Sequence, residues 1–153
     1  MSTLAVLDTT VLVAGLVESH PVHAACLNHL QSAAAHPGSY RCSVHAVAET
    51  FRVLVALPLV RRIDVDGARM VLRASVIPRF NPIPLAPKDY DTAMDIVCAS
   101  GLGSGAIYDC LHLLAAERIE AKYLVTSNLK HFHRLAESAN SRLRVVDPSE
   151  AIS

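Results

Sequence analysis

The chain has 153 residues, 52% of them hydrophobic, and its 14 basic and 14 acidic side chains cancel to a net charge of zero. This length favours one domain covering residues 1–153. No apolar stretch reaches the roughly 18 to 20 residues that a membrane-spanning helix needs, and Asp8 interrupts the first apolar run, unlike in a signal peptide. We therefore expect a cytoplasmic protein without a membrane partner, whose excess of apolar residues suggests self-association or an obligate partner.

The predicted elements alternate between strands and helices. In chain order they are a strand at 3–7, a helix to about 16, a helix from after Pro21 to about 35, a strand at 40–42, a helix at 44–57, a helix from 64 or 66 to about 77, a strand around 81–85, a helix at 88–100, a helix at 107–118, a strand at 123–126, a helix at 129–139 and a strand at 143–146. The first strand is a short, continuous apolar run, as in buried parallel strands. This alternation predicts an α/β fold with a mainly parallel sheet and helices on both faces.

A carboxylate stands directly after the first predicted strand. In sheets of this kind, sites form just beyond the carboxyl ends of the strands, and Asp8 occupies that position. Burying a carboxylate there is costly unless it has a partner or a task. Asp is also a good N-cap for the helix that follows, so the position by itself leaves both roles open.

Two further carboxylates lie in apolar helical segments. Asp109 directly precedes a nearly all-apolar run, CLHLLAA. Its alternative role is to interact favourably with the helix dipole near the N-terminus of that helix. Glu49 lies within the apolar pattern of the helix at 44–57, and its alternative role is an ion pair with Arg52, three residues later. Ser43, just before that helix, is a good N-cap.

Together the three carboxylates predict a metal site. Like charges repel and raise one another's pKa, so a pocket built from Asp8, Glu49 and Asp109 needs a cation. All-oxygen ligands suit Mg²⁺ or Mn²⁺ rather than zinc. The histidines and the four cysteines show no zinc-binding spacing, and the cysteines are expected to be small core residues. The implied chemistry is metal-assisted hydrolysis of a phosphodiester.

Charge is unevenly distributed along the chain. Residues 52–88 contain seven basic and two acidic side chains, a net charge of +5, and the remainder carries −5. A basic segment beside acidic groups fits a bound polyanion, although a solvated helical surface gives the same pattern.

Four segments carry a resemblance to a known family: LDTTVLVAGL, SVHAVAETFRVL, AIYDCLHLLAA and LVTSNLKHF. In this order and spacing they resemble PIN-domain ribonucleases, in particular VapC-type toxins of bacterial VapBC toxin–antitoxin systems, over essentially the whole chain. The resemblance implies a PIN-like three-layer α/β/α sandwich with a sheet of four to five strands. It also implies an Mg²⁺-dependent endoribonuclease (Mn²⁺ may substitute for Mg²⁺) that acts on RNA, is inhibited by a small VapB-type antitoxin and forms a homodimer.

The resemblance also implies roles for individual residues. Asp8 and Asp109 look like the Mg²⁺-binding aspartates, and Glu49 looks like a third acid that helps to place metal or water. Thr10 matches a hydroxyl that supports the first aspartate. The predicted order of elements brings Thr126, a second supporting residue, to the same sheet edge as Asp8.

The fourth segment departs from the family pattern. Asn128 stands where many relatives carry another acid, and some relatives with Asn there have Asp three residues later, where this chain has His131. We predict that Asn128 is a neutral member of the catalytic site, able to orient water or make one metal contact, while Ser127 or Asn128 could also simply cap the next helix. We expect one well-held Mg²⁺ and a weaker, substrate-dependent second.

The basic segment is predicted to hold the RNA backbone, since phosphate contacts supply salt-dependent affinity. The arginines in question are Arg61, Arg62, Arg69, Arg73 and Arg79. The alternative to an enzyme is a catalytically impaired PIN-like module that binds RNA or protein, a hypothesis motivated by Asn128 and His131. Retention of the three acidic residues argues against it.

Two other α/β classes fit the sequence poorly. A receiver domain should show paired acids after the first strand, where this chain has one acid followed by two threonines. A dinucleotide-binding domain needs its glycine motif after a strand, but the glycines at 101, 103 and 105 follow a helix.

Overall fold

The centre of the molecule is a four-stranded parallel sheet. The computed structural model describes residues 4–153, so Thr3, where the first strand was predicted to begin, lies outside the described residues. The strands are ordered β2-β1-β3-β4. They are β1 (Ala5–Leu7), β2 (Tyr40–Arg41), β3 (Tyr123–Val125) and β4 (Arg144–Val146), and every neighbouring pair is parallel. The prediction of a mainly parallel sheet is confirmed.

Helices connect the strands. They are α1 (Thr9–Leu16), α2 (His23–Ala35), α3 (Val44–Ala56), α4 (Val65–Val71), α5 (Ile77–Phe80), α6 (Pro87–Ser100), α7 (Ala106–Arg118) and α8 (Leu129–Ser138). Among the described residues, no helix combines the length and the apolar character that crossing a membrane requires. Ser43 caps α3 as predicted, because its hydroxyl accepts a hydrogen bond from the backbone N–H of Ala46.

The predicted helix ending near residue 77 is longer and less regular than expected. Between α4 and α5 the chain forms a π-helical segment, Leu72–Val76, and helical structure continues to Phe80. Pro78 explains the irregularity, because proline has no N–H to donate and its ring crowds the carbonyl four residues earlier. Asp64 provides the cap, and its side chain accepts a hydrogen bond from the backbone N–H of Gly67.

The predicted strand around 81–85 is wrong. In its place, Ile83 makes a single parallel bridge to Ser43, two residues after β2. Pro82 and Pro84 flank Ile83 and have no N–H groups to extend a ladder. Asn81 adds a left-handed turn, with φ of 39°, at the end of α5. Within residues 4–153 the sheet therefore has four strands, at the lower end of the predicted range.

Strand side chains alternate between two helical layers. Ala5, Leu7 and Val125 belong to a core shared with α1 and α2, whereas Val6 and Leu124 belong to a core shared with α7 and α8. Because successive side chains of a strand point to opposite faces, the sheet lies between two layers of helices. The predicted three-layer α/β/α sandwich is confirmed. One smaller prediction is wrong, since one of the four cysteines, Cys98, is exposed rather than in the core.

The register of β1 and β3 creates the site. Leu7 lies opposite Val125, so both strands end side by side. The backbone N–H of Asp8 donates to the carbonyl of Val125 across this edge, with an N–O distance of 3.2 Å. The residues that follow the two strands, Asp8 and Thr126, are thereby brought into contact.

Candidate active site

Asp8 is a buried carboxylate surrounded by hydrogen-bond donors. It is 1% exposed and caps α1, where Oδ1 accepts hydrogen bonds from the backbone N–H groups of Thr10 and Val11 at 2.7 and 3.3 Å. The Thr10 hydroxyl donates to the same oxygen at 2.5 Å, and the Thr126 hydroxyl donates to Oδ2 at 2.6 Å. The structure thus places both predicted supporting hydroxyls on Asp8, and capping and site placement are compatible in one side chain.

Asp109 lies in the first turn of α7 and is contacted from the start of α8. The Asn128 amide donates to Asp109 Oδ2 at 3.1 Å, and the Nδ1 atom of His131 lies 3.4 Å from the same oxygen. Asn128 precedes α8, but its side chain makes no capping hydrogen bond. The alternative in which the Asn128 side chain only caps this helix is therefore wrong.

The two aspartates form an acidic pair in which burial opposes the charged forms. Burial raises the pKa of Asp8 above its usual range, although the charge of His112 and the hydrogen bonds from Thr10 and Thr126 lower it. Burial also raises the pKa of Asp109, and the negative charge of Asp8 raises it further, against the lowering effects of His112 and His131. Each carboxylate is thus less stable in its charged form than it is in water.

Glu49 has a different environment on α3. Its Oε2 atom lies 3.2 Å from Nε2 of His112 and 3.4 Å from Nε2 of His45. Burial by itself raises the pKa of Glu49, but the hydrogen bonds and charges of the two histidines together outweigh it and hold the pKa below its usual range. The ion pair with Arg52 considered as an alternative is not formed, because the histidines occupy the carboxylate.

His112 is the site residue that sequence reasoning missed. It is 1% exposed on α7, and its Nδ1 atom lies 2.8 Å from the Ser43 hydroxyl. Its Nε2 atom contacts the Thr9 hydroxyl at 3.3 Å as well as Glu49. Since an ionised carboxylate has no proton to give, Nε2 donates to Glu49. The available signal was the spacing from Asp109 to His112, three residues apart and therefore on one face of an otherwise apolar helix.

The donor set fits a hard divalent cation at the acidic pair. Among residues 4–153, no group of three or more His, Cys, Asp or Glu side chains is arranged to hold a metal ion. Asp8 and Asp109 nevertheless supply carboxylate oxygens, the ligands that Mg²⁺ and Mn²⁺ prefer. Burial raises the pKa of both in spite of the nearby charge of His112, so a bound cation would stabilise their charged forms. Glu49 is set apart from them because its carboxylate already contacts two histidines.

The five arginines predicted to hold RNA are spread over the surface outside this cluster. Arg61 and Arg62 lie between α3 and α4, and both are exposed. Arg69 pairs with Asp66 at 3.0 Å on an exposed face of α4, and together with Arg73 it lines a groove along the outer side of α3. Arg79 is half-buried in α5. Their contact with RNA remains a prediction.

Comparison with known proteins gives a family match and a related sequence. The PIN domain family model matches residues 5–138. A protein named Ribonuclease VapC27, from Mycobacterium tuberculosis (strain ATCC 25618 / H37Rv), is 31% identical over 116 residues, which cover 75% of this chain and 78% of that protein.

Solved structures share the fold. FitAcB from Neisseria gonorrhoeae superposes with a TM-score of 0.67 at 19% identity, covering 95% of this chain and 98% of that one. VapBC2 from Rickettsia felis, solved with a DNA fragment from the promoter, has a TM-score of 0.64 at 20% identity, covering 95% of this chain and 98% of that one. At this level of identity the likeness supports the three-layer architecture.

Proposed function

The chain belongs to the PIN domain family, and from this premise we propose that it is a metal-dependent endoribonuclease that hydrolyses RNA phosphodiester bonds. One observation carries the proposal. Asp8 and Asp109, from elements about a hundred residues apart in sequence, are brought together in partly or fully buried positions, and both have raised pKa values. Such a pair is costly for stability alone, and a bound cation would relieve that cost. The name of the related Mycobacterium tuberculosis protein supports the same activity.

The acidic pair is the proposed cation site, with Mg²⁺ as the ion and Mn²⁺ as its substitute. Asp8 and Asp109 would hold the ion through their carboxylate oxygens. When bound, the ion supplies positive charge where the phosphate gains negative charge during hydrolysis. The Asn128 amide nitrogen already donates to Asp109. Because Asn128 is neutral, it adds no negative charge for a second ion. This supports the expectation of one well-held ion and a weaker second.

Other residues of the chain hold these groups in position. The hydroxyls of Thr10 and Thr126 fix both oxygens of Asp8, and Asn128 fixes Asp109. Because the pKa of Glu49 is held below its usual range, Glu49 stays ionised and is a weak base. We assign it the role of orienting water by accepting a hydrogen bond and of adding negative charge beside the cation.

The biological setting follows from the relatives. We propose that the chain, as a single domain, is the cytoplasmic toxin of a type II toxin–antitoxin pair, that it forms a homodimer, and that a small VapB-type antitoxin blocks its site. The support is the name of the sequence relative and the presence of VapBC2 and FitAcB among the proteins with this fold.

Cleavage of RNA by the purified full chain tests the proposal. Total RNA is incubated with the protein in Mg²⁺, in Mn²⁺ and in EDTA, and the new ends are mapped. We expect discrete cleavage with either metal and none in EDTA. Asp8→Asn should abolish it, because the amide keeps the size of the side chain but removes its charge.

The matched control is Asp95→Asn, which removes an exposed carboxylate on α6 and should leave cleavage unchanged. Equal activity of the wild type and Asp8→Asn would overturn the catalytic assignment. RNA binding without cleavage under either metal would instead favour the alternative, a catalytically impaired module.

A further inference from the structure

A pocket lined by residues of α3 and α7 opens beside Glu49. It has a volume of about 380 Å³ and is lined by His45, Ala48, Glu49, Arg52 and Tyr108. Its position follows from the helical spacing. Tyr108 directly precedes Asp109, and His45 and Arg52 lie about one turn before and after Glu49. Because Glu49 lines the pocket, any group bound there lies at the Glu49 edge of the proposed site.

Two aromatic rings form one wall of the pocket. The rings of His45 and Tyr108 are stacked, with centroids 5.2 Å apart and an angle of 5° between their planes. Two further contacts hold His45 in place, since its Nε2 atom contacts Glu49 and its ring lies 5.6 Å from that of His112. Tyr108 is 52% exposed although it is a large aromatic residue. The stack is thus a fixed aromatic surface with its outer part open to solvent.

A cation forms the other wall. Arg52 is exposed on α3, and no acidic side chain within residues 4–153 forms an ion pair with it. Glu49, whose carboxylate could neutralise Arg52, instead contacts His45 and His112. The guanidinium therefore remains free for an anionic ligand, and a phosphate fits its donor geometry.

We propose that His45, Arg52 and Tyr108 form a nucleotide-binding subsite, in which a base next to the scissile phosphate stacks on Tyr108 and Arg52 contacts a backbone phosphate. This inference rests on the proposed function. Aromatic faces stack bases of every kind, whereas a guanidinium recognises phosphate. Here the aromatic rings and the guanidinium of Arg52 line one pocket together with Glu49. The subsite therefore holds single-stranded RNA in place and carries little sequence preference of its own.

Binding of short RNA in EDTA tests the subsite separately from hydrolysis. Fluorescent single-stranded oligo(A), oligo(U), oligo(C) and oligo(G) are titrated with the full chain, alongside an abasic ribose-phosphate oligomer of equal length. We expect Tyr108→Ala to raise the Kd for the base-containing oligomers about tenfold and to leave binding of the abasic oligomer unchanged. Tyr108→Phe should bind like the wild type, because the ring remains. Arg52→Gln should reduce the dependence of log Kd on log salt by about 0.7.

The matched control is Tyr90→Ala, which removes an exposed tyrosine on α6 and should have no effect. Light scattering on every variant separates the subsite from an interface between copies of the chain. Unchanged RNA affinity in Tyr108→Ala, or a loss that appears only with a change in oligomeric state, overturns the subsite. Binding that depends on Tyr108, without metal-dependent cleavage by the wild type, supports the subsite and overturns the proposed function. Metal-dependent cleavage by the wild type, together with unchanged RNA binding in Tyr108→Ala, supports the proposed function and overturns the subsite.

Discussion

The acidic pair and the histidine-bound carboxylate of the same site have opposite electrostatics. Asp8 is buried and Asp109 is half-buried, and burial raises the pKa of both. Glu49 is also partly buried, but His45 and His112 contact it and its pKa is lowered. The three are all carboxylates, so the difference comes from their neighbours.

This comparison separates the roles that three carboxylates can have. A bound cation stabilises the charged form most where burial raises the pKa of a carboxyl, and less where two histidines already lower it. The cation is therefore expected at Asp8 and Asp109, and Glu49 is expected to be ionised near neutral pH. The following experiments address this difference, in order of decreasing effect.

The largest effect is expected from Asp109→Asn. Cleavage should fall by more than about a hundredfold, since loss of even an outer partner of a metal ligand costs about ten- to a hundredfold. Mg²⁺ should raise the melting temperature of the wild type, because it binds the folded state, but should raise that of the variant much less. Asp95→Asn should behave like the wild type in both assays, and an equal Mg²⁺ response in Asp109→Asn would place the ion elsewhere.

His112→Ala tests the other side of the comparison. The substitution removes one of the two histidines that contact Glu49 and the ring that contacts Ser43, and it opens a cavity in a buried position. We expect the free energy of unfolding in denaturant to fall by about 3 kcal/mol. The control is His133→Ala, on the exposed face of α8, which should change it by less than about 0.5 kcal/mol. A similar small change in His112→Ala would contradict a structural network at Glu49.

A smaller effect is expected on the pH dependence of stability, measured in EDTA, and its sign should differ between the two kinds of carboxylate. A carboxyl with a raised pKa destabilises the folded state when ionised, so near neutral pH Asp109→Asn should be more stable than the wild type. That gap should close as the pH falls toward the ordinary value of 3.8, because the folded wild type takes up a proton first.

Glu49→Gln should show the opposite sign. A lowered pKa contributes stability above the unfolded value of 4.5 and loses it as the pH falls further. The variant should therefore be less stable than the wild type near neutral pH, and the gap should close only below about pH 4.5. Chemical denaturation across the pH range measures both gaps, and equal signs for the two variants would refute the contrast.

The smallest effect concerns Thr50, the neighbour of Glu49 on α3. Its hydroxyl is fully buried and, within the part of the chain that the structure describes, has no hydrogen-bond partner. Thr50→Val keeps the shape and removes the unpaired oxygen, so we expect unfolding to become about 1 kcal/mol less favourable. Thermal denaturation measures the change, and Thr50→Ser, which keeps the hydroxyl but leaves a gap, should destabilise the protein. Destabilisation by Thr50→Val would mean that the oxygen has a partner.

Local patterns were sufficient to predict the architecture and the family. Apolar runs and helical spacing depend on backbone geometry over a few residues, so they located the strands and the buried helix α7. The end of a strand located Asp8 and Thr126, because parallel strands end at one edge. The prediction of a strand at 81–85 is wrong. Its apolar residues resemble those of a strand, but two prolines limit the segment to one bridge.

The chemistry of the site was decided by tertiary structure. The contact of His112 with Ser43 and Glu49 joins residues 69 and 63 positions apart in sequence, and no local pattern encodes such a pairing. The sequence by itself determined which carboxylates stand at the sheet edge and in the neighbouring helices. Only the packing of α3 against α7 decided that His112 contacts Glu49, and only tertiary structure brought Asp8 close enough to raise the pKa of Asp109, because pKa and charge compensation depend on neighbours in space.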